Sequence, residues 1–71
     1  MDINSAKQIN DLMLEYGAKL DESIRVVLES DDSEAAARYK KAVGKLMATM
    51  LMEVMNPIYE EHVSLKPSEL K

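Results

Sequence analysis

The residues best suited to chemistry are four methionines in the second half of the chain, Met47, Met50, Met52 and Met55. Thioethers are soft ligands, and two Met-x-x-Met spacings are compatible with copper(I). Methionine also fills gaps in helical cores and recurs at adaptable binding surfaces. Because Met47 and Met50 share a helical face from which Met52 points away, the four side chains are not expected to converge. We therefore expect packing in a core or interface, with a pliable partner-binding groove as the alternative, and no metal.

The single histidine, His62, follows two glutamates, Glu60 and Glu61. Two metal ligands on one helix must be three or four residues apart to share a face, as in Glu-x-x-His. The glutamates are one and two residues from His62, so they lie on other faces. We expect His62 to be exposed or to contact a partner, with Tyr59 three residues earlier as a possible hydrogen-bonding neighbour.

Charged residues recur at helical spacing in two stripes. The acidic stripe is Asp11, Glu15, Glu22 and Glu29, and the shorter basic stripe is Arg38, Lys41 and Lys45. Di-iron sites in helical bundles need inward-facing glutamates with histidine partners. The acidic stripe lies opposite the apolar positions of its helix, so both stripes are expected to be solvated faces, with pairing between them possible.

Composition excludes most catalytic classes. The chain has 71 residues, no cysteine, no tryptophan and one histidine, and its net charge is -4. It offers no thiol, no Gly-rich phosphate loop and no evident nucleophile–base pair. An acidic chain also lacks the clustered Lys and Arg that bind nucleic acid or anionic membranes. We expect no enzyme, no cofactor, no nucleic-acid partner and no membrane partner.

Hydrophobic periodicity predicts two long helices. The first is expected over about residues 5–30, capped by Asn4 or Ser5, with one amphipathic stripe. Residues 31–33 break the period and form the loop, and Asp32 or Ser33 caps a second helix over about residues 34–56. Pro57 predicts a kink or a stop, because it lacks an N–H and crowds the preceding turn. A kinked extension over residues 57–63 and a loose tail over 64–71 complete this single domain.

The second helix is apolar around most of its circumference, so one partner helix cannot cover it. The predicted fold is all-α: an antiparallel two-helix hairpin with a kinked C-terminal extension, pairing into a homodimeric four-helix bundle. The expected hairpin core is Ile9, Leu12, Met13, Tyr16, Leu20, Ile24, Val27, Val43, Leu46, Met50 and Val54. The expected dimer or partner interface is Gly44, Met47, Ala48, Leu51, Met52, Met55 and Ile58.

Two mid-helix glycines indicate close packing, since glycine is about 1 kcal/mol worse than alanine in a helix. With the turn near residues 31–33, Gly17 is expected opposite Leu46 or Met47, and Gly44 opposite Leu20. Gly44 and Ala48 would let another helix approach the second apolar face. The alternative is that both glycines are simply tolerated at the surface.

These features favour a non-catalytic, cytoplasmic, homodimeric module that binds another protein as a regulator or adaptor. One alternative is a carrier or sensor for a small apolar ligand held between the helices, near Tyr16, Tyr39 and the methionines. A third is a metal-dependent or accessory enzyme role, which would need His62 and carboxylates brought together across subunits.

Overall fold

The computed structural model describes residues 1–67, which form a helical hairpin. Helix α1 spans Ile3–Ser30 and helix α2 spans Ser33–Thr49. A π-helical segment, Met50–Met55, continues α2 into a short helix α3, Asn56–Glu61, and a 3-10 turn follows at Val63–Leu65. Every element in the described range is helical, which confirms the all-α prediction. The molecule is a rod of 44 × 19 × 16 Å.

Aspartates set the start of both long helices. The carboxylate of Asp2 accepts hydrogen bonds from the backbone N–H groups of Asn4 and Ser5 at 3.0 and 3.2 Å. Asp2 is therefore the cap of α1, where Asn4 or Ser5 was expected, and the helix begins two residues earlier than predicted. Asp32 caps α2 by accepting from the N–H of Ala35 at 2.8 Å. These bonds satisfy N–H groups that have no partner within the helix.

Pro57 neither stops the helix nor stands at its end. It lies in the first turn of α3, and helical geometry continues beyond it to Glu61. The ring of a proline displaces the carbonyl four residues earlier, here that of Glu53. The preceding turn responds by adopting π geometry, in which the N–H of Asn56 donates to the carbonyl of Leu51, five residues back. The helix thus absorbs the proline by widening.

The core cluster lies at the end of the hairpin opposite the turn, near the first residues of α1. Its buried members are Ala6, Met55, Ile58 and Tyr59. Ile9, Met13, Leu51, Val54 and Leu65 pack around them and remain half-buried. Met55 and Ile58, expected at a subunit interface, retain only 7% and 3% of their surface, because the π-helical segment and α3 place them against α1. The core therefore depends on the segment after the second long helix.

Along the hairpin itself the expected core is only partly covered. Val43 is buried, and Ile9, Met13, Leu20, Ile24, Val27, Met50 and Val54 are half-buried. Leu12, Tyr16 and Leu46 do not join the core of the single chain, since they are 41%, 52% and 50% exposed. Two helices share one seam, so side chains at its flanks stay in contact with solvent.

The chain after α3 packs back onto the hairpin. Leu65 contacts the core cluster, and its carbonyl accepts a hydrogen bond from the Asn10 side chain at 3.4 Å. Within the predicted loose tail of residues 64–71, Leu65 thus packs on the hairpin, and residues 68–71 lie outside the described range. None of the helices within residues 1–67 is long and apolar enough to cross a membrane.

Candidate functional site

An apolar groove runs between α1 on one side and α2 with the π-helical segment on the other, beside the core cluster. Its volume is about 430 Å³, within the range of pockets that hold small molecules or single side chains of a partner. Every lining residue is apolar. They are Met13, Leu14, Gly17, Ala18, Met47, Ala48, Met50, Leu51, Met55 and Pro67. We call this feature the methionine groove.

The π-helical segment explains how Met55 comes to share the groove with Met50. In an α-helix, residues five apart point about 140° away from each other, because each residue turns the chain by about 100°. In π geometry, residues five apart are hydrogen-bonded neighbours on successive turns. Met50 and Met55 bracket this segment and both line the groove. The expectation that the methionines would not converge holds for Met52, but Met47, Met50 and Met55 share one groove with Met13.

Small residues give the groove its depth. Gly17 lies on α1 opposite Met47, and a Cβ at residue 17 would sit 4.0 Å from the Met47 Cε, an ordinary contact. This agrees with the register expected from the turn. Gly44 differs from expectation, because a Cβ there would meet no described atom within 4 Å, Leu20 included. Gly44 therefore faces open space one turn before Ala48.

The residues expected at an interface divide into three groups. Met47, Ala48, Leu51 and Met55 line the groove, although Met55 also belongs to the core. Gly44 and Met52 are exposed without lining the groove, and Met52 keeps 67% of its surface. Ile58 belongs to the core alone.

Sequence reasoning missed the contribution of α1 to this groove. Leu14, Gly17 and Ala18 of α1 all line it. Leu14 falls outside the main apolar stripe of the first helix, and that displacement was the signal that could have revealed a second apolar surface. Pro67 could not have been placed, because its position depends on the packing of the segment after α3.

His62 and its neighbour Glu61, considered above as candidate metal ligands, form hydrogen bonds and ion pairs with nearby groups. His62 Nε2 lies 2.8 Å from the Met1 carbonyl oxygen and 3.2 Å from Glu61 Oε1, and it does not pair with Tyr59. The N-terminal amine donates to Glu61 Oε1 at 2.7 Å, and this bond and charge are the main reason that the pKa of Glu61 is lowered. Among residues 1–67, no three histidine or carboxylate side chains cluster to hold a metal ion.

The two charged stripes remain at the surface. All their members are exposed: Asp11, Glu15, Glu22, Glu29, Arg38, Lys41 and Lys45. In the described part of the chain, the ion pairs that involve a member of either stripe are formed within single helices, between Glu15 and Lys19 at 3.3 Å and between Glu34 and Arg38 at 3.7 Å. Exposed pairs of this kind contribute little to stability.

The tyrosines expected beside a ligand do not line the methionine groove. The Tyr39 hydroxyl lies 2.6 Å from the Ser23 hydroxyl, which itself donates to the Leu20 carbonyl at 2.6 Å. Tyr39 therefore ties α2 to α1 nearer the turn. Tyr16 is half-exposed and shares a shallow depression with Leu12, Glu15 and Lys19.

Comparisons of the chain with protein-family models, with curated proteins and with solved structures give no match.

Proposed function

We propose that the protein is a non-catalytic interaction module that pairs with a second copy of itself into a four-helix bundle and binds another protein. One observation carries the self-association. The chain exposes 5336 Å² of surface, whereas a compact monomer of 8.0 kDa exposes about 4,450 Å². The excess of about 900 Å² is close to the roughly 800 Å² that each partner buries in a standard interface.

The shape of the chain supports the same proposal. Within the described residues, no large side chain is completely buried. The radius of gyration is 14.4 Å, against about 11 Å for a compact domain of this length. A rod with an uncovered apolar face buries most of that surface against a partner of equal length that lies along it. A second hairpin has that length.

The methionine groove is the surface that a second copy would cover. An isologous dimer brings the same patch of both subunits together, so the patch must be complementary to itself. The groove face is apolar, and Gly44 and Ala48 stand one turn apart beside it, both exposed. Small residues let helix backbones approach closely, and thioethers adapt their shape to what they pack against.

A second patch, formed by Leu12 and Tyr16 beside Glu15 and Lys19, would remain uncovered in this dimer. Leu12 and Tyr16 are each about half exposed, and neither lines the groove. Tyrosine is enriched among the residues that dominate protein–protein binding energy. This patch supports the role of adaptor or regulator, because it leaves each subunit a surface for another protein.

Sedimentation equilibrium of the wild type and of Gly44→Glu tests the dimer. A side chain at residue 44 enters open space in the single chain, so the hairpin tolerates it, whereas a seam would bury its charge. We expect twice the chain mass for the wild type at micromolar concentration, and the single-chain mass for Gly44→Glu with helical circular dichroism retained. Thr49→Glu, which adds the same charge on the polar side of the same helix, should remain dimeric. A fully helical wild-type monomer under these conditions would overturn the proposal.

The groove volume also favours a second candidate, the binding of a small apolar molecule. This function predicts that an apolar fluorescent probe binds with one-to-one stoichiometry and raises the melting temperature. It also predicts that Ala18→Glu, which places a charge in the groove lining, abolishes probe binding. A probe that neither binds nor stabilises the protein would exclude this candidate and leave the dimer untouched.

A further inference from the structure

Methionine is the only sulfur-containing residue type in this chain, since the sequence contains no cysteine. Six methionines are present, and four of them line one groove. The thioether of methionine reacts with peroxides to give a sulfoxide, which is polar and chiral. The groove therefore brings four of the six methionines of the chain together on the surface that a second copy is proposed to cover.

We propose that Met47 and Met50 form a sulfoxidation site that controls association through the methionine groove. The inference rests on the proposed function, because it assumes that a second copy covers the groove. In the reaction, the methionine sulfur attacks one peroxide oxygen and the O–O bond breaks. The sulfur is oxidised by two electrons and gains that oxygen, and hydrogen peroxide is reduced to water. A thiol-dependent sulfoxide reductase reverses the change.

Exposure sets the order in which the methionines react. Met52 is the most exposed methionine in the described range and stands outside the groove. Met47 and Met50 are half-buried in a groove that is open in the single chain, and Met55 is buried in the core. A second copy would cover Met47 and Met50, so peroxide reaches them only in the dissociated chain. Their oxidation slows as protein concentration rises, whereas that of Met52 does not.

The sulfoxide oxygen would find no side-chain hydrogen-bond donor among the residues that line the groove, because all of them are apolar. In the free chain, water satisfies this oxygen. In the dimer the water is excluded, and burying a polar group without a partner weakens association by roughly 10-fold or more. Oxidation therefore favours the separate chains, and reduction restores the pair.

The test compares the wild type, Met13→Leu/Met47→Leu/Met50→Leu and Met52→Leu before and after hydrogen peroxide. Leucine is close to methionine in volume and cannot form a sulfoxide. Peptide mass spectrometry locates the added oxygen atoms, and sedimentation equilibrium gives the dimer dissociation constant. We expect the constant to rise at least 10-fold on oxidation for the wild type and for Met52→Leu, and to stay within about twofold for the triple variant.

Two results would overturn the inference in distinguishable ways. If the untreated wild type sediments as a monomer, the proposed dimer is wrong, and so is its control by methionine oxidation. If the wild type is dimeric before treatment and keeps the same dissociation constant when Met47 and Met50 carry oxygen, only the control by oxidation is wrong.

Discussion

The Tyr59 hydroxyl donates a 2.5 Å hydrogen bond to the Asn10 Oδ1, joining α3 to α1 inside the core. Both residues are buried, and the Asn10 amide also donates to the Leu65 carbonyl. One asparagine thus connects α1 with two segments that follow Pro57. Burial of the Tyr59 ring also raises the pKa of its hydroxyl, which keeps it protonated as a donor.

Tyr59→Phe should destabilise the protein by about 1–3 kcal/mol, because it leaves the buried Asn10 oxygen without a donor. Urea denaturation at fixed protein concentration measures the loss. Tyr16→Phe is the matched control. Because Tyr16 is half-exposed, this substitution should lower the free energy of unfolding by less than about 0.5 kcal/mol. Equal effects of the two substitutions would show that the Tyr59–Asn10 bond contributes nothing specific.

The hairpin could be predicted from sequence because its determinants are local. Apolar residues recur with helical period, and Ser30-Asp31-Asp32 interrupts that period and caps the next helix. The Gly17–Met47 pairing follows from the position of the turn alone. Nothing beyond sequence distance and helix geometry is needed for these features.

The groove could not be predicted, because it depends on the helix register around Pro57. With the usual 100° per residue, Met55 is assigned to a different direction from Met50. The π-helical segment changes that angle, places Met55 in the core and brings it to the groove. A proline signals a disturbance in the helix, but the choice among a stop, a kink and a π turn depends on tertiary packing. Here Ile58 and Tyr59 pack against α1 only if the helix continues.

The two glycines should respond differently to alanine. Gly17→Ala adds a methyl group at normal contact distance from Met47 and improves helix propensity, so it should raise the free energy of unfolding by about 0.5–1 kcal/mol. Gly44→Ala gains the same propensity in the single chain, but its methyl group enters the proposed seam and should weaken dimerisation. Chemical denaturation and sedimentation equilibrium at matched concentrations separate the two effects. An unchanged dissociation constant for Gly44→Ala would place the seam elsewhere.

The cap of α1 makes stability depend on pH. Hydrogen bonds from the Ser5 hydroxyl, and then from the N–H groups of Asn4 and Ser5, lower the pKa of Asp2 below its ordinary value of 3.8. Because the folded-state pKa is the lower one, the stabilisation is present above 3.8 and is lost as pH falls through the folded-state pKa.

Asp2→Asn keeps an oxygen that can cap the helix but cannot titrate. The wild type should melt above this variant near neutral pH, and the difference should disappear as the pH falls below the folded-state pKa of Asp2, which itself lies below 3.8. Melting curves followed by circular dichroism across this range measure it. A difference between the two proteins that is independent of pH would show that the ionised carboxylate gives α1 no advantage.

Tyr16→Ala distinguishes the two apolar faces of the hairpin. Tyr16 is half-exposed in the single chain and lies outside the groove, so its removal should change the free energy of unfolding by less than about 0.5 kcal/mol. If the groove is the subunit seam, the variant should also keep the wild-type dissociation constant, whereas Gly44→Glu should lose the dimer. A Tyr16→Ala protein that becomes monomeric while Gly44→Glu stays dimeric would move the seam to the patch that holds Leu12 and Tyr16. The methionine groove would then be the surface left for the partner protein.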